Sequence, residues 1–487
     1  MRQFVTALLG ATALSIACVP VAFAADMPTK MAIKAPMVPV VNWTGFYGAI
    51  GGGYGIASTD STLLTDPAGA FGANNASTGG KGYLGTFQIG YDYQFLPAWV
   101  AGVFADYDVS DIKGTTATSL TLVHPWSQKS AWAAGGRIGY LVTPQILSYF
   151  NAGYTAARFT GGELSLAVTG APAGVSAGNQ TFSGYFLGGG TEVTLGLLGP
   201  GWSMKSEYRY ASYGSKTASI TTDATGVTVG FAESNKPVVQ SLTTALVYKF
   251  NGGSAASAMA AAPMVTKAPP APTVNWTGFY GAIGGGYGMA STDSSLLTDP
   301  ARTFFASNGS TGGKGYLGTF QIGYDYQFLP RWVAGAFADY DVSDIKGTVF
   351  DAGTGLHPWS QKSAWAAGGR IGYLVTPQIL SYFNAGYTAA RFTGGELTSP
   401  VTGVATGTSA GNQTFSGYFL GGGTEVTLGL LGPGWFVKSE YRYASYGSKT
   451  ASITTDATGV TTGFAENNKP VVQSLSTALV YKFNGGR

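Results

Sequence analysis

Apolar and polar residues alternate with a period of two along much of the chain. In GYLGTFQIGYDYQF, residues 82–95, one face carries Tyr83, Phe87, Ile89, Tyr91, Tyr93 and Phe95, and the other carries Thr86, Gln88, Asp92 and Gln94. This alternation predicts β-strands, because successive side chains of a strand point to opposite faces. Eight such runs occur in the first half of the chain, at residues 44–57, 81–95, 99–110, 129–142, 146–159, 181–195, 201–214 and 237–250.

The gaps between these runs are alternately short and long. Short gaps follow the second, fourth and sixth runs, and gaps of about 20 residues follow the others. The runs have about 10 to 15 residues, which suits tilted strands that cross a membrane. Short turns at one end and long loops at the other are typical of transmembrane β-barrels.

The whole pattern occurs twice. NWTGFYGAIGGGYG begins at Asn42 and again at Asn275, and the copies stay aligned without a gap to the sequence YKF at 248–250 and 481–483. Similarity at a fixed spacing indicates repeated structural units. We therefore predict a signal peptide at 1–24, a periplasmic linker at 25–41, a first unit at 42–250, an Ala/Pro-rich periplasmic linker at 251–274, a second unit at 275–483 and a tail at 484–487.

Composition indicates which face of the strands meets lipid. Charged residues make up only 10% of the chain, against about 25% in ordinary soluble domains, while aromatics reach 13%. An eight-stranded barrel has an interior just wide enough for side chains, so it cannot hold the aromatic faces of all eight runs. We expect these faces to point outward into lipid, with the polar faces inside. The net charge of +3, without long basic runs, argues against nucleic acid as a partner.

The N-terminus has the features of a secretory signal. A positive residue, an apolar stretch and Ala22-Phe23-Ala24 predict cleavage after Ala24. The only cysteine, Cys18, lies within this segment, and a lipoprotein site there is the weaker alternative. Cleavage after Ala24 leaves no thiol for a disulfide, a metal site or a nucleophile.

Each unit ends in a strand with two spaced aromatic residues, Tyr248 and Phe250 in the first and Tyr481 and Phe483 in the second. These ends resemble the C-terminal assembly signal of outer-membrane proteins. With WTGFYGAIGGGYG and the signal peptide, the chain resembles the small outer-membrane β-barrel family, often described as porin-family or immunogenic proteins. The resemblance implies an all-β fold of two tandem eight-stranded up-and-down barrels, outer-membrane lipid and lipopolysaccharide as surroundings, and the barrel-assembly machinery as a partner. It implies no catalytic residue.

Charged residues on the inward faces form the best-defined constellation. Buried charges need partners, so we expect a salt-bridge network that fills each barrel, with Glu192 opposite Lys205. A narrow ion path and an acid–base site are the alternatives. The expected network comprises Asp92, Asp106, Arg137, Glu192, Lys205, Glu207 and Arg209, and their counterparts Asp325, Asp339, Arg370, Glu425, Lys438, Glu440 and Arg442.

Other polar motifs give weaker signals. His124 and His357 each lie in HPWSQKSAW, within a predicted long loop, and without a nearby cysteine or second histidine they do not predict a metal site. Ser127 is close to His124, but nothing marks it as a nucleophile. Trp43, Trp99, Trp132 and Trp202 are expected in the aromatic girdles at the membrane surfaces.

These patterns predict an outer-membrane barrel protein with a structural and surface role, not an enzyme, and without a cofactor. Long loops are expected outside the cell, and the termini and linker in the periplasm. A weak diffusion pore and an adhesin or receptor acting through the long loops are the alternatives. One sixteen-stranded barrel built from both units also stays open, and the loop ligands are unknown.

Overall fold

A computed structural model describes residues 42–118, 122–195, 198–250, 274–351, 355–428 and 431–483. The predicted signal peptide, the linker at 25–41, residues 251–273 of the middle linker and the tail lie outside the described residues. The first unit contains eleven strands: β1 (Gly45–Thr65), β2 (Phe71–Leu96), β3 (Trp99–Ala117), β4 (Leu122–Thr143), β5 (Ile146–Thr160), β6 (Glu163–Leu166), β7 (Pro172–Ala177), β8 (Gln180–Thr194), β9 (Trp202–Tyr213), β10 (Lys216–Thr222) and β11 (Thr228–Lys249).

The second unit repeats this order of strands. It contains β12 (Gly278–Thr298), β13 (Phe304–Leu329), β14 (Trp332–Asp351), β15 (Gly355–Thr376), β16 (Ile379–Thr393), β17 (Glu396–Thr398), β18 (Ala405–Ala410), β19 (Gln413–Thr427), β20 (Trp435–Tyr446), β21 (Lys449–Thr455) and β22 (Thr461–Lys482). Within the described ranges, no helix is long and apolar enough to cross a membrane.

All of the described strand pairs are antiparallel, and most lie within one unit. In the first unit, β1 pairs with β2, and the ladder continues through β3, β4, β5, β8 and β9 to β11. β11 pairs in turn with β1, from Tyr47 opposite Lys249 to Thr65 opposite Phe231. The second unit has the same cycle, in which β22 returns to β12. Each unit's last long strand therefore pairs with its own first strand.

The strands are longer than the alternation predicted. The run expected at 44–57 continues to Thr65, and the run expected at 129–142 begins at Leu122. Much of the sequence predicted as long loops is therefore strand. The extensions carry small polar residues on both faces, as in Ser58-Thr59-Asp60-Ser61, so the apolar period fades while backbone pairing continues.

Exposed apolar side chains form a band near the short turns. On β4 this outward face runs from Trp132 to Tyr140, a span of 9 residues that matches the height of a membrane-crossing strand. Soluble proteins rarely expose so much contiguous apolar surface. Beyond the band, towards the ends that carry β6, β7 and β10, outward positions become charged, as at Lys113, Lys129 and Arg158. We call these ends of the two units the far ends.

The two units touch along one outer face of each. Thr78 on β2 pairs with Thr311 on β13, its own counterpart in the other unit. Gly79 allows this approach, because a Cβ there would lie 2.5 Å from the carbonyl oxygen of Thr311. Buried apolar residues from both units, including Ile56 and Met289, pack beside this contact.

Candidate functional site

Arg137 is the centre of the first interior cluster. Its side chain points inward from β4, as the alternation of the strand predicts. Its guanidinium donates from Nε to Asp92 Oδ1 at 2.8 Å and from Nη1 to Glu192 Oε2 at 3.0 Å. Lys249 Nζ lies 2.5 Å from the same Asp92 carboxylate. The guanidinium also lies 4.7 Å from the ring centre of Tyr47. Two carboxylates thus share two buried cations, which offsets the cost of burying them.

Arg209 is the centre of a second cluster next to the first. It donates two hydrogen bonds to Asp106, at 3.1 and 2.6 Å, and one to Glu207 at 2.8 Å. Lys205 Nζ donates to Gln88 Oε1 at 2.6 Å and lies 3.4 Å from Glu207. The buried carboxylates of this cluster are therefore paired with cations as well.

The second unit repeats both clusters with one change of partner. Arg370 binds Asp325 and Glu425, and Arg442 binds Asp339 and Glu440. In the first unit the Ser203 hydroxyl donates to Glu192 at 2.7 Å, but Phe436 occupies the equivalent position in the second. Here Lys482 comes closer to the glutamate, at 3.2 Å against 3.8 Å for Lys249. A cation thus partly replaces the missing hydroxyl.

The structure brings the predicted interior charges together but changes one pairing. Glu192 lies opposite Lys205 in the backbone register, as expected. Its carboxylate nevertheless bonds to Arg137 and Ser203, while Lys205 bonds to Gln88 and Glu207. The expectation that Lys205 is the ion partner of Glu192 is therefore wrong. Side chains from across a narrow interior reach Glu192 as easily as its neighbour on the adjacent strand does.

Sequence reasoning missed Lys249 and Lys482 as interior charges. Both lie in the terminal YKF, between the outward residues Tyr248 and Phe250, or Tyr481 and Phe483. A residue between two outward positions of a strand must point inward. The alternation therefore contained the signal. Tyr47 and Tyr149 were missed for a different reason, because aromatic residues were expected only on the outer face.

Trp43 is also placed differently from the prediction. Trp99 and Trp132 are exposed within the apolar band, as expected of girdle residues, but Trp43 is fully buried. Its indole Nε1 donates to the carbonyl oxygen of Pro144 at 3.1 Å, and its ring lies 5.1 Å from Lys249 Nζ. The residue precedes β1 and folds inward at the short-turn end, so strand alternation does not govern it.

His124 lies in a buried pair, not in a surface loop. It belongs to β4, is only 3% exposed, and its Nε2 lies 3.1 Å from Glu233 on β11. The predicted long loop is therefore wrong at this position, and the neighbouring Trp126 is also buried within the strand extension. A cavity of about 40 Å³ lies beside the pair.

His357 in the second unit has an additional neighbour. Its Nε2 lies 3.1 Å from Glu466 Oε1 and 3.3 Å from Asp351 Oδ2. All three residues are at most 1% exposed. Asn308 donates from Nδ2 to Asp351 Oδ1 at 2.5 Å. In the first unit Thr118 stands where the second has Asp351, so the two copies differ in the charge of this cluster.

Both histidine clusters lie beyond the apolar band, and the pKa values of their side chains are shifted. Burial opposes protonation of His124, but the Glu233 carboxylate outweighs it and raises the pKa of the imidazole above 6.5. Burial likewise opposes ionisation of Glu233, yet His124 lowers the pKa of this carboxyl. In the second unit, burial and the Glu466 carboxylate raise the pKa of Asp351 to about 7. Adding one carboxyl therefore changes the electrostatics of an otherwise repeated site.

Comparison with known families agrees with the fold. The model described as "Outer membrane protein beta-barrel domain" matches the chain twice, over residues 9–232 and 254–483. The chain therefore belongs to the outer-membrane β-barrel protein family, in tandem duplication, and the family expected from the sequence is confirmed.

Curated relatives carry a matching description. The 31 kDa outer-membrane immunogenic proteins of Brucella melitensis biotype 1 and Brucella suis biovar 1 are each 27% identical over 239 residues, covering 47% of this chain and 92% of the relative. Among solved structures, the outer membrane protein OprG from Pseudomonas aeruginosa is 15% identical, covers 42% of this chain and 97% of its own, and has a TM-score of 0.29. That score is too low to support a functional comparison.

Proposed function

We propose that the protein is a non-enzymatic component of the outer membrane with a structural and surface role, and that each unit is a separate eight-stranded barrel closed by its interior charges. The observation that carries this is the pairing of those charges. Arg137 and Arg209 each join two carboxylates in the first unit, and Arg370 and Arg442 do so in the second.

The space left beside these charges supports a closed interior. A cavity of about 20 Å³ lies next to Asp108 and Arg209, and one of about 10 Å³ lies next to Lys438 and Arg442. Each volume is enough for about one water molecule. Opening a continuous water-filled path past these side chains would require breaking ion pairs in which both partners are buried.

Strand pairing supports two barrels over a single barrel of sixteen strands. A sixteen-stranded barrel would pair the strand ending at Lys249 with the strand starting at Gly278. In the described residues, β11 instead pairs with β1 over 19 positions, and the two units share a ladder contact only at Thr78 and Thr311. The linker of about 24 residues is also far longer than the turns between neighbouring strands.

The outer surface supports the proposed surroundings and orientation. The apolar band suits lipid, and the cations Lys113, Lys129 and Arg158 lie just beyond it, where they can meet phosphate groups of lipopolysaccharide. An even number of strands returns the chain to its starting side. We therefore place the far ends outside the cell, and the termini and linker in the periplasm, where the aromatic ends at Phe250 and Phe483 serve as assembly signals.

A role in surface contact is the second candidate. Apolar side chains are exposed at the tips of the far ends, including Phe71 at 60% and Phe304 at 62%. Exposed aromatic residues above a membrane surface suit binding to another macromolecule. The relatives from Brucella are described as immunogenic, which is consistent with surface exposure of those proteins.

Conductance in planar lipid bilayers tests the proposal. We expect the full chain to give no large steps, because paired charges fill both interiors. The variant R137A/R370A removes the bridging cation of each unit and should produce ion flow, while the outer-surface control K129A/K362A should not. Steps as large as those of sixteen-stranded porins would overturn the two-barrel proposal. Small, steady, ion-selective steps from the unmodified chain would support the weak diffusion pore.

A further inference from the structure

The buried cluster around His357 differs from its copy in the first unit by one charge. Glu466 and His357 have direct equivalents in Glu233 and His124, but Asp351 corresponds to Thr118. The Thr118 hydroxyl lies 3.2 Å from the carbonyl oxygen of Leu122, so its polar group is satisfied locally. The two units thus provide a natural comparison of one site with and without the second carboxylate.

Charge balance distinguishes the two copies. In the first unit, a protonated His124 and an ionised Glu233 neutralise each other. In the second unit, Asp351 adds a negative charge that a single protonated His357 does not balance. The neighbours Asn308 and Asn468 are neutral amides. An unbalanced buried charge is costly, so the second cluster needs either an additional proton or a cation.

The donor atoms already lie at separations that suit a small metal ion. His357 Nε2 is 3.1 Å from Glu466 Oε1 and 3.3 Å from Asp351 Oδ2. Ligand atoms bound tetrahedrally at about 2.0–2.1 Å from Zn²⁺ lie roughly 3.3–3.4 Å from each other. All three donor atoms lie within 4.8 Å of one another, so one nitrogen and two carboxylate oxygens could share a metal ion after the carboxylates adjust.

The imidazole can also adopt the tautomer that a metal requires. His357 Nδ1 lies 3.0 Å from the carbonyl oxygen of Pro358, to which it can donate a hydrogen bond. In the tautomer that donates from Nδ1, the Nε2 lone pair faces the two carboxylates. Metal-binding histidines commonly donate their other ring N–H in this way. Asn468 donates from Nδ2 to Glu466 Oε2, and its buried Oδ1 has no hydrogen-bond partner among the described residues, so an oxygen acceptor is left over beside the cluster.

We propose that Asp351, His357 and Glu466 form a binding site for one divalent transition-metal cation of the Zn²⁺ type, present only in the second unit. A neutral histidine, two carboxylates and a divalent cation give zero net charge. The ligands come from β14, β15 and β22, so the bound ion ties together three strands of the far end. Because the donors are buried, the ion enters during folding or local opening.

The test measures zinc in the full chain, produced without a polyhistidine tag. The chain is refolded in detergent with Zn²⁺, dialysed, and analysed for bound metal by mass spectrometry. We expect one zinc per unmodified chain and none in D351T, which gives the second unit the residue of the first. The reciprocal variant T118D should bind two. Zinc should raise the unfolding temperature of the unmodified chain but not that of D351T.

The matched histidines provide the control. H357Q should lower zinc affinity by at least about 100-fold, since losing even an outer partner of a metal site typically costs 10- to 100-fold. H124Q should leave affinity unchanged, and heat-modifiable mobility on gels checks the folding of every variant. No bound zinc in the unmodified chain would overturn the proposal in favour of a shared proton. Equal losses in H124Q and H357Q, or full binding by D351T, would overturn it in favour of another site.

Discussion

Glu192 illustrates that the residue opposite in the strand register does not by itself determine a buried ion pair. Lys205 faces it on β9, yet the closest cation is Arg137 from β4, at 3.0 Å. Removing Arg137 would leave the carboxylates of both Glu192 and Asp92 poorly compensated. Breaking a buried pair in this way typically costs about 3–5 kcal/mol.

A double-mutant cycle tests which cation stabilises Glu192. We expect coupling of about 0.5–3 kcal/mol between Glu192→Ala and Arg137→Ala, because the two side chains share a direct ion pair. The control cycle of Glu192→Ala with Lys205→Ala should show weaker coupling. The measurement is reversible unfolding in lipid or detergent. Stronger coupling to Lys205 than to Arg137 would contradict the side-chain arrangement described here.

The pair of His124 and Glu233 should make stability depend on pH. Because the pKa of His124 is raised in the folded state, its contribution to the free energy of unfolding is complete below about pH 6.5. This contribution is lost as the pH rises through the folded-state pKa. Because the pKa of Glu233 is lowered in the folded state, its contribution to the free energy of unfolding is complete above about pH 4.5. This contribution is lost as the pH falls through the folded-state pKa. The pair should therefore stabilise the protein most between about pH 4.5 and 6.5.

Comparison with H124Q isolates this effect, because the cluster of the second unit is the same in both chains. The difference in unfolding temperature between the unmodified chain and H124Q should be largest in that window and should shrink at alkaline pH. A difference that stays constant from the window to alkaline pH would show that the pair does not titrate as described.

The sequence predicted the interior charges well where alternation was strong. It also contained the information needed to place one further charged residue in the interior. Lys249 could have been assigned to the interior from its position between two outward aromatic residues. The contact of His124 with Glu233 could not, because the two residues are 109 positions apart and lie where the apolar period has faded. Only strand register brings them together.

At the scale of elements, the main departure from prediction is strand length. β1 and β11 stay paired from Tyr47 to Thr65, beyond the last strongly alternating residues. Contact with lipid explains the alternation of apolar and polar residues, but strands can pair through their backbones without this alternation. The sequence therefore indicated the membrane-crossing part of each strand and not its extension, where Ser, Thr and Gly occupy both faces.

Hydrogen exchange tests these extensions. We expect the amides of residues 58–64, and of their partners at 232–236 and 238, to exchange slowly, because each ladder bond must open before exchange. Ala68 and Ala70 supply an internal control that should exchange quickly, because the backbone bonds donated within this turn come from Asp66 and Gly69. Equal, fast exchange in the extension and the turn would restore the interpretation as a long loop.

At the scale of the whole molecule, the contact between the units has approximate two-fold symmetry. Lys81 in the first unit lies 2.8 Å from Asp293 in the second, and Lys314 lies 2.8 Å from Asp60. These two ion pairs are the same pair seen from opposite sides, since the residues correspond between copies. A contact of this kind uses the same surface on both partners. Each unit therefore carries a complete half of a self-complementary interface.

This symmetry gives a prediction for the separate units. Residues 25–253 and 254–487 should each fold alone, with heat-modifiable mobility on gels, because each pairs its own first and last strands. The first unit alone should self-associate in detergent, since one copy supplies Asp60 and another supplies Lys81. The variant K81E should weaken this association by like-charge repulsion, and R158A, on the exposed surface of β5 away from the contact, is the control. Failure of both separate units to fold, while the full chain folds and conducts like a large porin, would instead establish one sixteen-stranded barrel.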